Sequence, residues 1–203
     1  MLRITGGSLR GRMLMTLPPD DRVRPTTARM RETLFSMLGT GVEGAWVLDL
    51  FAGGGTLGIE AMSRGARGAL FVERDAAIVA LIRKNLATCG LEARATVVRE
   101  DVERAGVVAS IRREAMARFE AWRGFDLIFM DPPYHAGLLA PTLAMLADST
   151  LLAPDAVAIA EHDALAVAKG VAPAWRPMHN RRQGESQVSF WRWRGEATET
   201  GRS

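Results

Sequence analysis

Leu48-Asp49-Leu50-Phe51-Ala52-Gly53-Gly54-Gly55-Thr56-Leu57-Gly58-Ile59-Glu60-Ala61 decides the fold of this chain. Its first half continues an apolar run from Trp46, short and bulky enough to be a strand buried on both faces. Three glycines end the run. Ile59, Glu60, Ala61 and Met62 read as the short helix that follows, with Gly65 placed to cap it. The spacing Gly53, Gly55, Gly58 satisfies G-x-G-x-x-G between a strand and a helix, the setting in which that pattern holds a nucleotide.

Outward from this unit the same alternation repeats. Ala69–Glu73, Ala95–Val98, Phe125–Met130 and Ala156–Ala160 read as strands. Ile78, Leu81, Ile82 and Leu86 recur at helical spacing, as do Val108, Ile111, Ala115, Phe119 and Trp122; a further helix is expected around Leu138–Leu146. Near-continuous apolar strands separated by helices imply a parallel sheet covered on both faces. Gln187–Trp193 is a last strand with no helix after it, so the α/β sheet is doubly wound and mostly parallel. Met30, Leu34, Met37 and Leu38 fit a helix begun near Thr26 or Thr27. The expected organisation is a basic arm or hairpin over residues 1–24, one domain over 25–194 and a flexible tail over 195–203.

Composition narrows the class. With 48% hydrophobic and 24% charged residues among 203, wholesale disorder is excluded and one domain is expected. No stretch of about 18 uncharged apolar residues exists and no apolar segment follows the N-terminus, so a cytoplasmic protein without membrane contact is expected. Cys89 is the single cysteine, and His135, His162 and His179 lack ligand spacing, so no metal site is expected. The net charge of +3 is unevenly spread: seven arginines face two aspartates over residues 1–31, and five face one glutamate over 176–194. Arginine forks onto phosphate and stacks on bases, so these ends point to nucleic acid.

Asp49 and Glu73 decide between nucleotides. Glu73 closes the second strand, where an acid meets ribose hydroxyls, and that feature also suits a nicotinamide-dependent oxidoreductase. Asp49, just before the glycines, would repel a pyrophosphate but suits S-adenosylmethionine, which carries an ammonium group and a cationic sulfur. Thr56 is expected to cap the helix beneath the loop, and Asp101 to accept from an adenine amino group. Asp49 could instead be a simple helix-capping carboxylate.

Asp131-Pro132-Pro133-Tyr134 opens on the same sheet edge. The prolines fix the turn and the residue before them is held extended, so Asp131 projects beside rigid carbonyl acceptors. Such a group binds an exocyclic amine through its hydrogens and orients the nitrogen, while Tyr134 stacks on the base. An acceptor-only carboxylate matches the adjacent N1–H and N2–H donors of guanine better than the donor and acceptor of adenine.

With these motifs the chain resembles class I S-adenosylmethionine-dependent amino-methyltransferases. Arg3–Arg12 and Arg24–Phe35 narrow the resemblance to the RsmD family, which methylates guanine N2 in 16S ribosomal RNA. That resemblance implies a Rossmann-like methyltransferase fold. It implies cofactor contacts from Asp49, Phe51, Ala52, Gly53, Gly55, Thr56, Glu73 and Asp101, and guanine positioning by Asp131, Pro132 and Tyr134. It also implies a protein-bound 30S particle as substrate. Arg3, Arg10, Arg12, Arg24, Arg29 and Arg31 are expected to track RNA phosphates, extended by Arg181 and Arg182, around a flipped base; a monomer is the default. Three alternatives stand beside this reading: an adenine-N6 nucleic-acid methyltransferase, a nicotinamide-dependent oxidoreductase and a non-enzymatic ribosome assembly factor.

Overall fold

The computed structural model describes residues 1–16, 28–132, 137–163, 172–183 and 186–195. Two short strands, β1 (Leu2–Arg3) and β2 (Met13–Leu14), pair antiparallel at the N-terminus. Then follow α1 (Ala28–Leu38), β3 (Trp46–Leu50), α2 (Thr56–Ser63), β4 (Gly68–Glu73), α3 (Ala76–Cys89) and β5 (Ala95–Arg99). The chain continues through α4 (Val107–Arg118), β6 (Phe125–Met130), α5 (Leu139–Ala147), β7 (Leu152–Asp163), β8 (Trp175–Gln183) and β9 (Ser186–Trp193).

The main sheet has seven strands in the order β5-β4-β3-β6-β7-β9-β8. The first five are parallel, and β9 runs antiparallel to both of its neighbours. Alternate strand residues feed two cores. Val47, Phe71, Phe129 and Ile159 pack on one face against α1, α2 and α3, where Phe35 meets Phe129 edge-on at 5.8 Å. Leu48, Leu70, Ile128 and Ala158 pack on the other with α4 and α5. Because both faces are covered, the strands read as continuous apolar runs.

Two expectations shift, and a third falls where the structure does not test it. β8 gave no strand signal, because Trp-Arg-Pro-Met-His-Asn-Arg-Arg-Gln is polar and holds Pro177. As an edge strand it pairs only with β9, and a register shift falls between Pro177 and His179, so the missing N–H breaks no inner ladder. The buried stripe of α4 begins at Val107, with Val108 only half-buried. The helix start assigned to Thr26 or Thr27 lies outside the described residues.

The N-terminal arm is fastened to the domain through buried polar groups. Ile4 and Leu14 are almost wholly buried, while Glu60 of α2 is entirely so. The Glu60 carboxylate accepts from the Thr5 amide at 3.0 Å, the Thr5 hydroxyl at 2.6 Å and the Gly6 amide at 2.8 Å. Arg64 donates to it at 2.9 Å, and the Arg31 Nε stands 3.9 Å away. One turn on, the Ser63 hydroxyl donates to the Gly6 carbonyl at 2.6 Å and accepts from the Leu9 amide at 3.0 Å. Gly7 lies so close to α2, at φ +76°, that a Cβ there would sit 1.9 Å from the Ser63 carbonyl oxygen. Only glycine fits.

This network corrects one sequence reading. Arg31, expected to face RNA, is fully buried. Its Nη2 donates to the Arg3 carbonyl at 2.9 Å, and burial lowers its pKa from the ordinary arginine value against the pull of Glu60 and Glu32. The residue locks α1 to the arm and α2 rather than meeting solvent.

Removing the Glu60 carboxylate strands the Arg31 guanidinium and two amides. Glu60→Ala is expected to lower the unfolding free energy by roughly 3–5 kcal/mol. Urea unfolding measures that loss, and limited trypsin digestion is expected to cut the arm at Arg10 before the domain.

Candidate functional site

β3, β4, β5 and β6 are parallel, so the residues that leave them open on one edge. β3 ends at Leu50, and Phe51 then turns with φ +58°, a conformation costing on the order of 1 kcal/mol outside glycine. The Ala52 amide donates to the Val72 carbonyl at 3.0 Å, and the Gly55 amide returns to the Ala52 carbonyl at 2.8 Å. Gly53 donates to Glu73 Oε2 at 3.1 Å, while Asn85 of α3 donates its Nδ2 to the Gly54 carbonyl at 3.2 Å. Gly53 and Gly54 are thereby bonded to β4 and α3, Gly55 closes a turn within the loop, and strain at Phe51 is held in place by those bonds.

Asp49 is 3% exposed, and its Oδ2 accepts from the Gly58 amide at 2.9 Å. Gly58 is the third residue of α2, so Asp49 does cap that helix, from the neighbouring strand. The expected cap, Thr56, does not: Gly55 is the N-cap, at φ +74°, and Thr56 is the first helical residue with no capping bond from its side chain. Gly58 must be glycine, since a Cβ would meet the Phe71 ring at 2.4 Å and Asp49 Oδ2 at 3.1 Å.

Capping does not exhaust Asp49. Burial above all, with the charges of Asp131 and Glu73 acting the same way, pushes its carboxyl up to about 8 despite the Gly58 bond. Three carboxylates therefore face one region of the edge, an arrangement that repels phosphate and attracts a cation. Glu73 is half-buried, its Oε1 accepting from the Asp75 amide at 2.9 Å as its Oε2 holds Gly53. Asp101 lies at the same edge beyond β5. Its Oδ1 accepts from the Glu103 amide at 3.1 Å and its Oδ2 is 3.4 Å from Arg74 Nη1, with the side chain 39% exposed.

Asp131 and Pro132 are half-buried directly after β6, next to β3 in the sheet. Pro133, Tyr134 and His135 lie outside the described residues, as does Arg24. Arg3, Arg10, Arg12 and Arg29 are exposed. Arg12 donates to the Thr88 carbonyl at the end of α3, so one of its bonds is made within the protein. His162 is buried against the Ser189 hydroxyl at 2.8 Å, and His179 is exposed. Among the described residues no group of three His, Cys, Asp or Glu side chains could hold a metal.

Sequence reasoning passed over Asn85, which is 1% exposed. Its Oδ1 accepts from the Met15 amide at 2.8 Å, and its Nδ2 donates to the Met15 carbonyl at 3.1 Å as well as to Gly54. The signal was present: a polar residue three positions after Ile82 on the apolar face of a helix is costly to bury without partners.

A family profile described as "Conserved hypothetical protein 95" matches residues 2–192. The chain is 40% identical over 164 residues to the ribosomal RNA small subunit methyltransferase D of Escherichia coli strain K12, covering 80% of this chain and 75% of that protein. Its fold superposes on the E. coli protein yhhF with a TM-score of 0.79 at 32% identity, over 96% of this chain and 99% of the other. An RNA methyltransferase of Salinibacter ruber, solved with S-adenosyl-L-homocysteine, shares the fold at a TM-score of 0.61 and 17% identity, over 89% and 100% of the two chains. The extent of the profile match and the identity to the E. coli protein place this chain in the Conserved hypothetical protein 95 family, the RsmD family that its arm, glycine loop and Asp-Pro-Pro-Tyr turn resemble.

Proposed function

We propose that the protein transfers the methyl group of S-adenosylmethionine to the exocyclic N2 amine of a guanine in small-subunit ribosomal RNA. The observation that carries this reading is the convergence, on one sheet edge, of the Asp49–Glu73 glycine-loop unit with Asp131-Pro132 on the adjacent strand. The curated relative's name supports the RNA class and the group transferred.

The residues present fit the cofactor. Asp49 meets an ammonium group, which favours the ionised carboxylate that burial disfavours, and Glu73 holds ribose hydroxyls while fixing Gly53. Asp101 accepts from the adenine amine. The acidic cluster argues against a dinucleotide, whose pyrophosphate would sit over this loop. When bound, S-adenosylmethionine supplies a methyl group on a cationic sulfur that departs as a neutral thioether.

Asp131 accepts from guanine N1–H and N2–H and fixes the amine. An amine conjugated to its ring is a poor nucleophile. Hydrogen bonding to Asp131 would draw it toward tetrahedral geometry and aim the nitrogen pair at a methyl donor. As the N–C bond forms and the S–C bond breaks, the amine proton would pass to the Asp131 carboxylate that already accepts its hydrogen bond, and from there to solvent. Positioning of this kind supplies roughly 7–11 kcal/mol in favourable cases. Tyr134 stacks on the flipped base. The acceptor is a protein-bound small-subunit particle in the cytoplasm, met by a monomer. Large apolar residues exposed among those described are scattered methionines, and no described helix is long and apolar enough to cross a membrane.

Incubation with labelled S-adenosylmethionine and under-methylated small-subunit particles is expected to place label in N2-methylguanosine; label in N6-methyladenosine would refute the base assignment. Asp131→Ala is expected to lower turnover at least a hundredfold with cofactor affinity within a few-fold. Glu73→Ala is expected to do the converse, weakening the cofactor at least tenfold in equilibrium dialysis. Asp49 makes stability depend on pH. A carboxyl that titrates near 3.8 unfolded and near 8 folded carries an extra proton in the native state between those values. Its contribution is therefore fully favourable below about 4 and is lost as pH rises toward 8. Thermal unfolding of the ligand-free protein is expected to show this slope, and Asp49→Asn to flatten it while weakening the cofactor.

A further inference from the structure

We propose that the groove between α1 and β8 carries the single-stranded RNA flanking the target nucleotide, an inference that rests on the reading of the protein as an RNA methyltransferase. The groove has a volume of about 690 Å³, with Glu32, Ser36 and Met37 on the α1 wall and Met178, His179 and Arg181 on the β8 wall.

Strand register shows which side chains enter it. His179 pairs with Phe190 and Arg181 with Val188, and both partners belong to the core beneath α1, so His179 and Arg181 project on the α1 side of the sheet. Arg176 pairs with Arg192, itself paired with Val157 against the same core, so these two continue the column away from the active edge. On α1, Arg29 precedes Glu32, Thr33 and Ser36 by three, four and seven residues and shares their face. Arg29, Arg176, Arg181 and Arg192 are exposed and make no ion pair among the described residues. Arg74, Arg104 and Arg113 elsewhere on the surface each have a carboxylate within 4 Å. Arg181 lines the groove beside Glu32, and Arg29, Arg176 and Arg192 stand around it on the same side of the sheet. Glu161, which shares the partner Val188 with Arg181, is the further carboxylate on that side, so four guanidinium groups against two carboxylates among the described residues suit a polyanion.

The groove also runs to the right place. Met130, Ala160, Ser189 and Asn180 stand side by side across the sheet, so Arg181 is level with Asp131. Three strand spacings separate them, about 14 Å at 4.8 Å each. A phosphate held by Arg181 therefore lies within a few nucleotides of a base at Asp131. His179 offers an exposed ring, set edge-on to Phe190 at 6.4 Å, on which a base can stack, and the Thr33 and Ser36 hydroxyls can bond ribose 2′-OH groups.

A photocrosslinker on Ser36→Cys tests the occupant in the full-length protein, since Cys89 is buried and resists labelling. With small-subunit particles, crosslinking to RNA near the methylated guanine is expected; crosslinking confined to a ribosomal protein would overturn the proposal in favour of a protein contact. Arg181→Glu and Arg176→Glu are each expected to weaken particle binding at least fivefold and to reduce the slope of log affinity against log salt by about one. Cofactor affinity should not change, which establishes that the variants fold, and Arg113→Glu on α4 serves as a charge control. Wild-type affinity in both groove variants would overturn the inference. Methyl transfer by the wild type, measured in parallel, separates the two failures: transfer with intact binding by the variants refutes the groove alone, whereas no transfer to any RNA refutes the enzymatic reading while crosslinking still decides the groove.

Discussion

The Glu60 carboxylate lies wholly inside the protein, where an isolated charge would be far too costly to maintain. It is tolerated because Thr5, Gly6 and Arg64 donate to it and Arg31 stands close by. Those donors come from the arm, α1 and α2, so one ionised group sets how three segments meet. α2 is also the helix that the glycine loop enters and Asp49 caps. The geometry of the loop thus depends on a helix clamped from behind by the arm, and Asn85 repeats the arrangement from α3 by joining Met15 to Gly54. Arm and loop are parts of one polar lattice laid over the apolar core.

Charge is sorted by location. Carboxylates gather where the parallel strands end, close enough for Asp131 and Glu73 to act on Asp49. Arg176, Arg181 and Arg192 on the outer strands and Arg29 on α1 are exposed and make no ion pair among the described residues. On the proposed reading a cationic small molecule and a polyanion are drawn to different parts of the same sheet and meet at Asp131. The edge strand β8, whose Pro177 and arginines leave it unattractive for pairing with another sheet, gains its polar character at no expense to the core.

The parallel half of the sheet was legible because burial on both faces demands uninterrupted apolar strands, and β3, β4 and β6 show them. The placement of the glycine loop and of Asp131 on one sheet edge was legible because each follows directly on an apolar strand of the parallel set. β8 was not, since a strand with one partner and one wet face needs neither alternation nor apolarity. Arg31 misled because charge says nothing about burial: its helical neighbours Met30, Leu34 and Phe35 mark the inner face, and only Glu60, distant in sequence, makes a cation acceptable there. Thr56 misled for a related reason. The local candidate for a cap lost to Asp49, a residue seven positions earlier on another element. Tertiary partners decided each of these cases, and a window along the chain does not contain them.

The clamp on the arm also orders assembly of the chain. Thr5 and Gly6 meet Glu60 across 55 and 54 positions, and Met15 meets Asn85 across 70. Contacts so far apart form only after the loops between them close, and a chain emerging from its N-terminus makes the arm long before its docking helices exist. Its two-residue strands bury too little to persist alone. The arm, made before the helices it docks on, is therefore fixed only after them, and its protection from solvent marks the moment at which α2 and α3 have settled on the sheet.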